Sequence, residues 1–418
     1  LRNQRNMLVL WVIGLVVLAG LLVLLSWGNH RYTTTHTESG TDFQVYWTGT
    51  RSFLGEGISP YSREVTGRIA EAIYGRPARA NEFQPYWYSP LFMFIPFIPF
   101  SMISDYALAR ALWMTLLEAA ILGTVFLSIR LTGWRVHWLV LGLALLFSVF
   151  WFHGLRPLVD GSPVILVTLL FTAALNSIRD RADESAGVLL GLCMIKPLLI
   201  ALPLAFIFIW ALLNRRGKMI VWFAMTVFLL GAVSALLLPD WILQNAAALV
   251  QNEELNLPGT PAAAVAVLWP ALGERVGSGF SIIVGVMVLV EWWFARHAEF
   301  RGLLWTTCLT LVASQWVGIP TEPENFFILL LPLILVFATW DERWPRMGGI
   351  LSGISMALLF AGIWWIYREL HGSGYVLVLS PVLLLPAPLF LLAGLYWVRW
   401  WAVNPPAVWY DFLVSARR

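Results

Sequence analysis

Long apolar runs recur along the whole chain, separated by short turns that carry arginine. A helix needs about 20 apolar residues to cross roughly 30 Å of hydrocarbon. In lipid, every backbone amide must find its partner within its own element, so the runs are expected to be helices. A soluble chain of 418 residues would divide into two or more domains. Here the pattern predicts an all-α polytopic membrane protein, a single membrane domain over residues 1–418. Twelve spans are expected, over 7–27, 106–129, 136–152, 163–178, 186–195, 197–214, 219–238, 279–294, 302–317, 326–340, 348–366 and 375–398. The first run is too long for a signal-peptide core and lacks a small-residue cleavage site, so it is read as a retained helix.

The turns fix the orientation. Arg130/Arg135, Arg179/Arg181, Arg215/Arg216/Lys218, Arg296/Arg301 and Arg343/Arg346 fall in alternate turns, with Arg2 and Arg5 at one terminus and Arg399, Arg417 and Arg418 at the other. The intervening short turns carry only Arg156, Arg275 and Arg368. Basic residues favour the cytoplasm, so both termini are expected there and the long loops outside a cell membrane. Two runs resist this count. The segment 88–103 contains Pro90, Pro96 and Pro99, which break helical hydrogen bonding. Counting it as a crossing would invert every later arginine cluster, so it is read as a re-entrant or surface-lying part of the first outer loop, 28–105. The run 186–195 is short, and the Lys196-Pro197 that follows makes it half of a broken helix pair. The second long outer loop is 240–278. Pieces at 64–74 and 262–272 suit the membrane interface. Long loops without obvious structure are usually functional.

Composition adds exclusions. The chain is 59% hydrophobic with a net charge of +3, and its basic residues cluster at membrane edges, which leaves no case for a nucleic-acid partner. Cys193 and Cys308 lie in apolar runs and read as buried thiols. Glu118 and Glu291, also within runs, should pair internally or face a cavity.

Asp42 is the most informative polar residue, a carboxylate among aromatics in Thr41-Asp42-Phe43-Gln44-Val45-Tyr46-Trp47. Two roles suit it: a helix N-cap, or a general base that takes the proton of an attacking hydroxyl. The stretch Asp42-Phe43-x-Val45-Tyr46-Trp47, then Gly57-Ile58-Ser59-Pro60-Tyr61, resembles glycosyltransferase family 87. So do Tyr88-Ser89-Pro90-Leu91, Asp160-Gly161-Ser162, and Ala186-Gly187-x-x-x-Gly191 running to Lys196-Pro197. The likeness runs over roughly residues 40–220. It departs from the family at Tyr88-Ser89-Pro90, where Tyr-Pro-Pro is common, and at Asp160-Gly161-Ser162, where Asn-Gly-Gln is common.

That resemblance implies a C-type glycosyltransferase architecture with an extracytoplasmic active site, a polyprenyl-phosphate sugar as donor, most often mannose, and Asp42 as the base. A lipid or glycan would be the acceptor, and no cofactor or metal is implied. Arg156, Lys196, Arg275 and Arg110 are the outer-side cations available to a donor phosphate, Arg as a bidentate fork and Lys as a point charge. Lys196 could instead snorkel to the surface, and Arg110 could be an interface anchor. Asp160 is either a turn residue or a sugar contact that assists Asp42 or orients Arg156. Glu322 and Glu324 sit between two helix ends and should line the acceptor site or cap a helix; their spacing is weak evidence for a metal. Trp47 and Trp87 suit stacking on a sugar ring, and Tyr46 joins them among the donor-binding candidates. The rival class is a transporter or flippase of a lipid-linked solute. It would predict midplane charges and an internal repeat, and no convincing repeat is present.

Overall fold

A computed structural model describes residues 17, 19–35, 40–79, 82–256, 259–317, 321–345, 347–370 and 381–403. Among these, every regular element is helical, and the only β-type pairing is one bridge between Gly259 and Thr321. Six helices are long and apolar enough to cross a membrane: Tyr106–Thr132, Gly217–Leu237, Gly273–Ala295, Pro323–Arg343, Gly348–Leu370 and Pro381–Val403. The pair Trp138–Phe150 and Phe152–Asp160, bent by 49°, makes a seventh if taken as one span. The expected count of twelve also needs the shorter apolar helices Val164–Arg179 and Pro197–Leu213, and runs that meet no such test. The expected span 7–27 lies outside the described residues over 7–16, and the span 375–398 lies outside them over 375–380. Arg2, Arg5, Arg346, Arg417 and Arg418 fall outside them too.

Local chemistry sets the helix ends. The Asp105 side chain accepts from the amides of Ala107 and Leu108 at 2.9 and 3.3 Å, and Gly133 at φ +69° closes the 27-residue helix. That helix is about 40 Å long at 1.5 Å per residue, enough to join two faces of the bundle. Three expectations shift. The stretch 153–160, read as loop, is a helix ended by Gly161. The helix expected from 279 begins at Gly273, so Arg275 lies on its first turn. The run 186–195 is the helix Asp183–Leu192, then a 3₁₀ turn to Ile195 and a break at Lys196 (φ −127°, ψ 75°). That short helix packs tightly on Gly217–Leu237: a Cβ on Gly187 would fall 2.3 Å from the Met219 carbonyl, and one on Gly191 2.7 Å from Thr226. Small residues at four-residue spacing allow such close approach.

The proline-bearing segment 88–103 contains no helix long enough to pass as a span by itself. It forms a 3₁₀ stretch Leu91–Phe97 and one α turn Ile98–Ser101, largely buried against the helix Thr41–Glu56. The two long loops clasp each other: Ser59 donates to Gln244 at 2.6 Å, Asn245 donates to the Tyr88 carbonyl at 2.8 Å, and Phe92 meets Trp241 edge-on. Both intramembrane glutamates have partners, Glu291 in a bidentate pair with Arg399 at 2.8 and 3.0 Å and Glu118 with Asn29 at 3.1 Å.

The arginine turns meet at one end of the bundle. Arg130 pairs with Asp180, and Arg216 pairs with Asp183 while donating to the Ile178 carbonyl. Asn214 donates to the Arg296 carbonyl, Arg301 pairs with Glu342, and Trp134 donates to Asp341. Asp42, Asp160 and Lys196 gather at the opposite end.

Candidate active site

The site is organised around the start of the helix Thr41–Glu56. Its N-cap is Gly40, at φ +107°, and no side chain caps it. A Cβ on Gly40 would sit 2.5 Å from Arg110 Nε, so both the backbone angle and the space demand glycine. The Gly40 amide donates to Asp160 Oδ1 at 3.4 Å, and its carbonyl accepts from the Tyr106 hydroxyl at 3.2 Å. Asp42 therefore stands inside the first turn rather than at the cap, and its carboxylate makes no capping bond. It is partly accessible yet surrounded by protein. Burial pushes its pKa up to about 6, Glu324 adds to the rise, and Lys196, the Ser162 hydroxyl and Arg156 pull the other way. A carboxylate near that value can hold and release a proton close to neutrality.

The residues around it come from three separate parts of the chain. Asp160 ends the helix Phe152–Asp160, and Gly161 follows at φ +75° with its Cα against Phe43, where a Cβ would be 2.6 Å from the Phe43 Cβ. Arg156, one turn earlier, lies between two carboxylates, 2.5 Å from Asp160 Oδ2 and 3.3 Å from Glu324 Oε1. Lys196, buried at the helix break, donates to the Asn325 side-chain oxygen at 2.9 Å. Asn325 in turn donates to Thr321 at 3.3 Å. His153 bonds the Pro323 carbonyl through Nδ1 at 2.6 Å. A carbonyl can only accept, so Nδ1 carries the proton, and the ring ties down the loop that bears both glutamates. Burial also lifts the Glu322 pKa to about 7, opposed by Lys196 and increased by Asp42 and Glu324. Two cations and four carboxylates thus share one enclosure. Among the described residues no three His, Cys, Asp or Glu side chains converge as a metal cage.

Beside this cluster opens a cleft of about 730 Å³ counting the open space at its edge, lined by the polar Lys196, Asn245 and Glu322 and by the aliphatic Ile195, Leu198 and Leu249. A cleft that combines a charged residue with aliphatic side chains in a membrane protein fits a ligand with a polar head and an apolar tail.

A family model for glycosyltransferase family 87 matches residues 86–317, more than half of the chain. The chain belongs to glycosyltransferase family 87. With its apolar helices it is a membrane glycosyltransferase. No curated protein and no solved structure matches it. The match starts after Asp42 and reaches well beyond residue 220, so it takes in Asp160, Lys196 and the helix Trp241–Asn256 that carries Asn245 and Leu249, while the Asp42 stretch stands on its own motif and on the geometry above.

The remaining candidates of this glycosyltransferase lie further from the cleft. Arg110 is fully buried behind the site, packed on Gly40 and donating to the Val159 carbonyl at 2.9 Å, where it braces the frame that carries Asp42 and Asp160. Arg275 is exposed on the first turn of Gly273–Ala295, a turn that packs on the helix Pro261–Leu268. Trp87 is 0% exposed, with Nε1 donating to the Ser89 carbonyl at 2.7 Å and its ring pressed on Gly49, so no ring face is open to a sugar. Tyr46 is buried too, its hydroxyl 2.9 Å from Ser89 Oγ. Trp47 is half-buried, donating to the Phe100 carbonyl at 3.0 Å with Arg51 over its ring. Sequence reasoning gave no role to Asn245, Asn252 or His153. Tyr88 and Ser162 lay inside motifs that already had notice, and Asn325 stood beside Glu322 and Glu324 as a residue expected to line the acceptor site or cap a helix.

Proposed function

We propose that this glycosyltransferase moves a sugar, mannose being the first candidate, from a polyprenyl phosphate to a lipid or glycan acceptor on the extracytoplasmic face of the cell membrane. The observation that carries the reading is the pairing of a partly accessible carboxylate, whose pKa burial raises to about 6, with a lysine that lines a cleft together with aliphatic side chains. In a single in-line displacement, the acceptor oxygen attacks the anomeric carbon. The bond from that carbon to the phosphate oxygen breaks, the phosphate keeps the electron pair, and the acceptor proton passes to Asp42. The product is inverted at that carbon. Lys196 stabilises the charge that grows on the phosphate. Arg156 is already engaged by Asp160 and Glu324, so its part is to hold the carboxylates apart and in place, whereas Lys196 donates to the neutral Asn325 carboxamide and can turn to a ligand.

The orientation rests on the arginine turns gathered at the opposite end, which the positive-inside tendency assigns to the cytoplasm with twelve spans in total. A transporter would carry its charges near the midplane, and here they collect at one end.

The test is a transfer assay on purified protein in nanodiscs with labelled polyprenyl-phosphate sugars and membrane-lipid or glycan acceptors. Transfer from the mannosyl donor, with an inverted product and a donor KM raised at least tenfold in Lys196→Ala, is the expected result. Absence of transfer from every polyprenyl-phosphate sugar would overturn the reading.

A further inference from the structure

The helix Trp241–Asn256 has its two faces reversed relative to a helix on a soluble surface. Asn245, Leu249 and Asn252 follow one another at four- and three-residue spacing and line the cleft. On the opposite side, Leu243 and Val250 are exposed. The next helix, Pro261–Leu268, also exposes Val267 and Leu268. A helix that turns aliphatic side chains outward and carboxamides inward is built to stand between hydrocarbon and a polar chamber. Its hold on the first loop, through Gln244 to Ser59 and Asn245 to the Tyr88 carbonyl, fixes that wall against the floor of the cleft.

The polar wall is specific in kind. Around Lys196 the cleft offers carboxamides (Asn245, Asn252, Asn325), the hydroxyl-bearing Tyr88, Ser89 and Thr321, and one carboxylate (Glu322). Carboxamides both donate and accept, as sugar hydroxyls do, and they do so without charge. A second phosphate or an acidic group would call for more cations. The sugar ring of a glycosyl phosphate is one oxygen away from its phosphorus. A phosphate resting on the Lys196 ammonium therefore leaves the ring inside the same cleft.

We infer that Asn245 and Asn252, on the inner face of this helix, form the subsite that holds the hydroxyls of the donor's sugar ring, while the outer face of the same helix meets the lipid from which the donor enters. The inference rests on the proposed donor class, and it assigns to these two residues the recognition of the sugar, separate from the phosphate contact at Lys196.

Binding tests it without requiring turnover. The affinities of polyprenyl-phosphate mannose and of bare polyprenyl phosphate are measured in nanodiscs for the parent, Asn245→Leu and Asn252→Leu. The parent should prefer the glycosylated lipid by about tenfold or more, the size of one or two net neutral hydrogen bonds. That preference should fall to within about twofold of unity in Asn252→Leu or Asn245→Leu, with the affinity for bare polyprenyl phosphate kept. No preference in the parent overturns the inference whatever the variants do. So does equal weakening of both lipids in both variants, which would make the helix a wall only. If the parent shows the preference and the variants abolish it but no sugar is transferred in any assay, the subsite stands and the proposed reaction falls.

Discussion

The two ends of the bundle use charge in opposite ways. At the arginine end, Arg130 and Asp180 pair at 2.8 Å with side chains 60% and 43% exposed. Such exposed pairs contribute at most about 1 kcal/mol each. Their value lies in where they place positive charge along the membrane normal. At the other end, Arg156 and Asp160 pair at 2.5 Å with the carboxylate 1% exposed, beside a second glutamate and next to a helix break. Charge that is costly to bury is concentrated there, together with the left-handed glycines Gly40 and Gly161. Buried carboxylates occur at the first end too, as in the Arg399–Glu291 pair, but at the second end four carboxylates share one enclosure. That concentration is the mark of chemistry.

The contrast breaks most visibly at Arg156. Arg156→Ala leaves Asp160 and Glu324 buried without their cation, a loss of about 3–5 kcal/mol. A large fall in thermal unfolding temperature in detergent is expected, partly recovered by adding Glu324→Gln. A variant as stable as the parent would mean that the carboxylates are not held by this arginine. Gly40→Ala comes next. It forces a side chain into a left-handed angle, at about 1–3 kcal/mol, and into the Arg110 guanidinium. Transfer should fall more than stability, because Gly40 immediately precedes the turn that carries Asp42; equal losses in the two would detach this glycine from the site. At the arginine end, Arg130→Ala should change stability by about 1 kcal/mol or less and leave transfer intact, checked by the same melting curves and assay. A loss as large as that at Arg156 would erase the distinction between the two ends.

Much of this contrast was legible in the chain. The arginine turns announced themselves by spacing, the three prolines of 88–103 marked a segment that breaks into short 3₁₀ and α pieces, and Lys196-Pro197 marked the helix break. Asp42, Asp160, Lys196, Glu322 and Glu324 stood out because a carboxylate or ammonium is rare in so apolar a sequence, and the structure brings these with Arg156 into one enclosure. What stayed hidden is tertiary. The burial of Trp87 and Tyr46 depends on Gly49 and Ser89 closing around them. Arg110 reads as an outer cation until Gly40 is seen packed on its guanidinium. Asn245 and Asn252 look like ordinary loop amides until the helix that carries them turns them inward, and Phe152–Asp160 read as a loop because His, Gly, Arg and Pro interrupt its apolar pattern.

The central claim is that the Asp42 carboxylate takes the acceptor's proton. Because Gly40 and not Asp42 caps the helix, Asp42→Asn changes the charge without removing a cap. With the pKa raised to about 6, the parent's base is deprotonated above that value, so its transfer rate should fall as pH drops through about 6. The direct measurement is single-turnover transfer from a saturating polyprenyl-phosphate donor in the parent and in Asp42→Asn, across pH 5 to 8. The account predicts unchanged donor binding, transfer lowered by about 10²–10⁴ in the variant, and loss of the acidic limb near pH 6. Transfer by Asp42→Asn at the parent's rate, with the same acidic limb, would contradict it.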